Sequence, residues 1–167
     1  MSRCTPYESD DYAEERRQYG RWKSNLARQI YSQRGQTFLR ELLAALEALP
    51  QKVLIAGAIA KRGAVCPFGA LAVSRSTADG QDRELVLADL SKIVVDPDLP
   101  GWEGQDMDEW AQTVLDAPNM LAWQIPFEND SHLEQNLDEE GHCIGLRAPT
   151  DEERYAYVIA WIRKRIV

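Results

Sequence analysis

Apolar positions near the start of the chain recur at helical spacing. Tyr12, Tyr19, Trp22, Leu26 and Ile30 fall on one stripe, while Glu14, Glu15, Arg21, Lys23 and Arg28 take other faces. The pattern predicts an amphipathic helix over residues 10–33, with Gly20 as a weak point inside it and Gly35 as its stop. A second stripe of Phe38, Leu42, Ala45, Leu46 and Leu49 predicts a helix over 36–49. Pro50 closes it, because proline disfavours helical geometry in the residue before it. So short a link implies an antiparallel or angled helical pair across residues 1–50.

The period then changes. Residues 52–57 are short, branched and apolar, which suggests a strand. Residues 61–63 read as a turn and 63–66 as the return strand, giving a small hairpin over 52–66 that needs helices to pack on. Pro67 suits the first position of a helix over 67–74. A loop at 76–80 leads to a helix over 82–93, with Val94 and Val95 as a further extended stretch. Pro97, Pro100, Gly101 and Gly104 mark a loop. Helical pattern resumes at 106–115 and again from 117 or 118 to 127. Asn129, Asp130 and Ser131 read as a turn or cap. Residues 134–145 are polar and weakly patterned, as in an exposed loop or short helix. Thr150 and Glu153 fit a capping box opening a last helix, with Tyr155, Val158, Ile159, Ile162 and Ile166 as its buried stripe. Arg163, Lys164 and Arg165 suit its final turn.

The elements add up to an α+β fold, predominantly helical, with one small β-hairpin. Its 167 residues fit a single domain. Within it lie the helical pair (1–50), the hairpin (52–66), a helical middle with an acidic loop (67–130) and a capped C-terminal helix (150–167).

Charge changes the picture more than composition does. The net charge is -8, which excludes a generally basic nucleic-acid binder. Residues 1–92 hold 14 basic and 11 acidic residues, whereas residues 93–146 hold 13 acidic residues and no lysine or arginine. The simpler reading is a solvated acidic face. The sharper one is a surface complementary to a basic host protein, itself nucleic-acid-binding, since complementary charge speeds and selects association. The candidate binding residues are Asp96, Asp98, Trp102, Glu103, Asp106, Asp108 and Glu109. Trp102 lies in a Pro/Gly loop, as an interface anchor would. Trp123 and Phe127, at helical spacing, are expected in the core.

Three cysteines, Cys4, Cys66 and Cys143, are too few and scattered for a disulfide framework. The longest strongly apolar run, residues 53–60, is too short to span a bilayer, and no secretory signal is visible. A cytoplasmic protein without membrane contact is expected. Cys66 precedes a helix, where the dipole and free amides lower a thiol's pKa. That supports an alternative: a small thiol enzyme, hydrolase or transferase, with His132 or His142 as base and Asn129 or Asp130 as orienter. The simpler reading makes Cys66 a small buried hydrophobe. His142 and Cys143 lack further metal ligands. Asp96, Asp98 and Gly101 begin like a calcium loop, but Pro100 and Met107 break it. Common nucleotide, serine-hydrolase and zincin motifs are absent, so no metal or cofactor is expected.

Two stretches carry a resemblance. One runs from Arg21 through Asn25 and from Gly35 to Ala56. The other is a scattered trio: Cys66-Pro67-Phe68-Gly69-Ala70-Leu71, then Phe127-Glu128-Asn129-Asp130, then Thr150-Asp151-Glu152-Glu153-Arg154. They resemble a family of uncharacterised bacterial and phage proteins. Pro67 and Phe68 depart from that family's small and aliphatic residues. The resemblance implies a mainly helical fold with a small hairpin and implies no activity. With the acidic block, it implies a phage or prophage accessory protein that works by protein–protein interaction. Its most concrete form is an inhibitor of a host nucleic-acid-directed defence complex, of the anti-CRISPR kind. A structural or virion-associated protein is a further alternative.

Overall fold

Ser32 and Gly35 set the first corner of the chain. The computed structural model describes residues 10–93, 107–137 and 143–167. Helix α1 spans Asp10–Ile30 and α2 spans Gln33–Glu47. Ser32 caps α2: its Oγ accepts from the Gly35 amide at 3.0 Å and donates to the Gln29 carbonyl at 2.7 Å. Gly35 is therefore not the stop of α1 but part of the first turn of α2. A Cβ there would lie 1.9 Å from the Gln29 carbonyl oxygen, so only glycine lets the two helices meet this closely. Buried Gln36 donates to the carbonyls of Ile30 and Arg165 and accepts from the Val167 amide, tying the corner to the C-terminus.

The expected apolar stripe of α2 is buried, and Pro50 follows it. The hairpin is smaller than its sequence suggests. Strand β1 (Ala60–Lys61) pairs antiparallel with β2 (Ala64–Val65), in register Ala60 with Val65. Arg62 and Gly63 both have positive φ, 53° and 82°, as the tightest hairpin turn requires. Residues 52–57 form no strand. The Leu54 amide donates to the Asp151 carbonyl and the Ile55 amide to the Val65 carbonyl. A short branched apolar run reads alike whether it pairs as a strand or lies extended between helices.

Helix α3 (Pro67–Ala78) is central, in contact with α2 and with the next three helices. It outruns the expected end at 74. Gly69 lets the hairpin lie on it, since a Cβ would meet the Ile59 carbonyl at 2.3 Å. Helix α4 (Arg83–Leu90) is capped by Asp82, and is shorter than expected. Helix α5 spans Met107–Leu115 and α6 spans Asn119–Ser131. The proline loop, Val94 and Val95 lie outside the described residues.

Two expectations fail after Phe127. Asn129, Asp130 and Ser131 do not form a turn; α6 continues through them. Residues 134–145 are neither loop nor helix throughout, because β3 (Glu134–Leu137) and β4 (Cys143–Arg147) make a second antiparallel pair. Helix α7 (Asp151–Arg163) opens on the expected capping box: Thr150 Oγ1 accepts from the Glu153 amide and Glu153 Oε2 from the Thr150 amide. Buried residues from α1 to α7 form one continuous apolar cluster. The fold is predominantly helical α+β, with seven helices and two small antiparallel strand pairs among the described residues. No described helix is long and apolar enough to cross a membrane.

Candidate interaction surface

Helix α6 is apolar on more than one face. Leu121, Ala122 and Ile125 are buried in the core. Trp123 and Phe127, one helical turn apart, are not. Each is 47% exposed, correcting their expected place in the core. Their rings stack on each other at 5.3 Å and 11°. Half-buried Trp22 of α1 meets Trp123 edge-on at 5.7 Å, and Tyr19, 62% exposed, stacks on Trp22. The result is a ladder of four aromatic rings crossing from α1 to α6 at the surface.

Beside the ladder lies an open groove. Its described lining is Met107 and Asp108 of α5 with Ala122, Trp123, Pro126, Phe127 and Asp130 of α6. The chemistry is aromatic and apolar on the floor, with two carboxylates and no lysine or arginine. A floor of this kind attracts cations through the ring faces. Carboxylates at its edge add charge complementarity.

Asp108 thus lines the groove, and Glu109 is exposed one residue on. Asp96, Asp98, Trp102, Glu103 and Asp106 lie outside the described residues, as does the calcium-like loop. Other carboxylates of the acidic block serve the scaffold. Asp116 pairs with Arg34 at 2.6 Å. Outside that block, Arg75 holds Glu41 through two hydrogen bonds and also donates to the Leu115 carbonyl, fixing the end of α5. Glu128 accepts from Gln124 and Tyr157, and Glu134 contacts His132. Trp110 is buried.

The thiol alternative meets a different geometry. Cys66 does cap α3, with Sγ accepting from the Gly69 amide at 3.4 Å. Yet it is buried, and burial pushes its thiol up to about 12 despite amides of Gly69 and Phe68 that favour the thiolate. The nearby Asp130 carboxylate pushes it further the same way. Desolvation thus outweighs the helix terminus, and the expected lowering is reversed. His132 follows α6, stacks on Tyr157 at 3.6 Å and pairs through Nε2 with Glu134 at 2.7 Å. His142 lies outside the described residues. Among those residues no group of three or more His, Cys, Asp or Glu could hold a metal.

The scattered trio of the sequence converges at one junction. Arg154 Nε donates to the Asn129 carbonyl and its Nη1 to the Leu54 carbonyl. Asn129 Nδ2 donates to the Ile55 carbonyl at 2.9 Å and to Asp130 Oδ1 at 2.6 Å. The Gly57 amide donates to Asp130 Oδ2 at 3.3 Å. Cys66, Asn129 and Asp130 share the wall of one small chamber. Asn129, a turn residue by its sequence neighbours, is here a buried polar group. The Glu-Asn-Asp motif was its one signal.

No known protein family, curated protein or solved structure matches the chain.

Proposed function

We propose that this protein acts by protein–protein contact and receives a basic partner on the groove between α5 and α6. The observation that most supports this is the exposed Trp123–Phe127 stack with Asp108 and Asp130 beside it. Stacked aromatics left at a surface are the residue type that supplies most binding energy at interfaces. Clustered carboxylates select a positive partner and speed the encounter.

In its most concrete form the protein is a phage or prophage accessory protein. Its partner is then a nucleic-acid-binding component of a host defence complex, whose positive groove the acidic surface occupies as a decoy. The family resemblance and the 13 acidic residues of 93–146, with no lysine or arginine among them, support that form.

Capture from bacterial lysate at low and high salt tests the reading. The expected result is a set of basic proteins retained at low salt and released at high salt. Their capture falls when Asp108 and Glu109 are both changed to serine. Capture that ignores both salt and these substitutions overturns it.

A further inference from the structure

We infer that the chain pairs with a second copy of itself across the aromatic ladder, α1 of each copy lying on the acidic groove of the other. The contact needs no host protein and so stands apart from the partner reading above.

Positive charge is as segregated along the chain as negative charge. Residues 16–40 hold seven lysines and arginines and no aspartate or glutamate. Arg17, Arg21 and Arg28 of α1, four and seven residues apart, share one helix face. With Gly20, Ser24 and Asn25 they line an open recess, and all six are exposed. Neither Arg21 nor Arg28 has a carboxylate partner among the described residues. Helix α1 thus turns fixed positive charge to solvent in a protein of net charge -8.

The ladder joins this helix to the groove. Its rings run in the order Tyr19, Trp22, Trp123, Phe127. The first two belong to α1, and the last two line the groove with Asp108 and Asp130. Charge therefore changes sign at the Trp22–Trp123 contact, with two rings on either side. A surface of that kind complements itself, because a two-fold contact joins the same patch on both copies. An axis crossing the ladder at that contact brings the Tyr19 end of each copy onto the Phe127 end of the other. Arginines then meet carboxylates at both ends. An axis along the ladder would set arginine on arginine, and like charge selects against it.

The facing groups also suit each other chemically. Tyr19, Trp123 and Phe127 are exposed apolar area that a facing copy removes from water. A guanidinium stacks on aromatic faces and pairs with carboxylates. The groove offers both, stacked rings beside Asp108 and Asp130.

Sedimentation velocity of the full chain at low salt, from micromolar to near-millimolar concentration, tests the pairing. The wild type is expected to pass from monomer to dimer, and high salt should reverse this. Arg21→Glu/Arg28→Glu and Asp108→Lys/Glu109→Lys should each weaken the dimer at least about tenfold. The new residues are good helix formers, so both variants should keep the circular dichroism of the wild type. Mixed in equal amounts, the two variants should recover the dimer, because the reversed charges match again at both ends. One reading needs no variant. In a mixture of isotope-labelled and unlabelled wild type, NMR should show the Tyr19 ring of one copy against the Phe127 ring of the other. A chain that stays monomeric, a dimer indifferent to both variants, a mixture that does not pair, growth beyond two copies, or a dimer lacking the Tyr19–Phe127 contact overturns the pairing. Arg21→Glu/Arg28→Glu leaves the groove itself intact, so capture of basic proteins persists in it. Loss of the dimer and loss of the partner are therefore separate results.

Discussion

Arg154 reaches from α7 to donate its Nε to the backbone carbonyl of Asn129 at 2.9 Å, closing the end of α6 against the start of the last helix. The same guanidinium serves Leu54 and Asp151, so one buried cation holds three chain segments. This junction fixes Asn129 and Asp130 beside the groove and makes the surface a property of the fold.

Replacing Arg154 with leucine should therefore cost stability. The carbonyls of Asn129 and Leu54 would lose a buried donor, at roughly 2–4 kcal/mol together. Denaturant unfolding followed by circular dichroism measures this. A loss well under 1 kcal/mol would show the junction to be ornamental.

The two glycines of the first helices should respond oppositely to alanine. At Gly35 the added Cβ meets the Gln29 carbonyl oxygen, and about 1–3 kcal/mol of destabilisation follows. At Gly20 nothing lies within 4 Å, and alanine should stabilise the helix by about 0.5–1 kcal/mol. Paired thermal melts decide both.

Glu153 links stability to pH. Two hydrogen bonds from Arg147, helped by the Thr150 amide, lower its carboxyl to about 2 from a usual 4.5. Its contribution is thus complete above pH 4.5 and disappears as pH falls through about 2. Glu153→Gln should be less stable at neutral pH and should flatten that acid limb. An acid limb of unchanged slope would contradict the pairing.

Cys66 should resist alkylation in the native protein. Its thiol is buried and stays protonated, so brief treatment with iodoacetamide should leave Cys66 unmodified by mass spectrometry until denaturant is added. Rapid native labelling would revive the thiol-enzyme alternative.

Local signals carried most of the helices. The stripe of α2 and the capping box at Thr150 state their own geometry within a few residues. Gly35 shows the limit: a glycine between two helical patterns fits a stop as well as a close approach, and only the path of α1 decides. Trp123 and Phe127 share spacing with core residues because α6 is apolar on several faces. Periodicity says they lie together, not which side a neighbour covers. Leu54 is legible as buried and extended but not as lying outside a strand pair, since its hydrogen-bond partner, Asp151, lies nearly a hundred residues on. In the β3–β4 pair only Ile144 and Leu146 alternate, and β3 offers a single apolar residue, Leu137, so the pattern is too short to mark a strand pair. Asn129 looked like a turn residue beside Asp130 and Ser131, because its partners come from distant segments.

The central claim is that the Trp123–Phe127 surface carries binding rather than stability. The most direct measurement is the affinity of the recovered basic partner for the Trp123→Ser/Phe127→Ser double variant, alongside the variant's melting temperature. A Kd raised at least about thirtyfold is expected, with the variant still folded and its melting lowered by only a few degrees, since each ring is 47% exposed and gives up part, not all, of a core side chain's packing. Unaltered affinity in a folded double variant would contradict it.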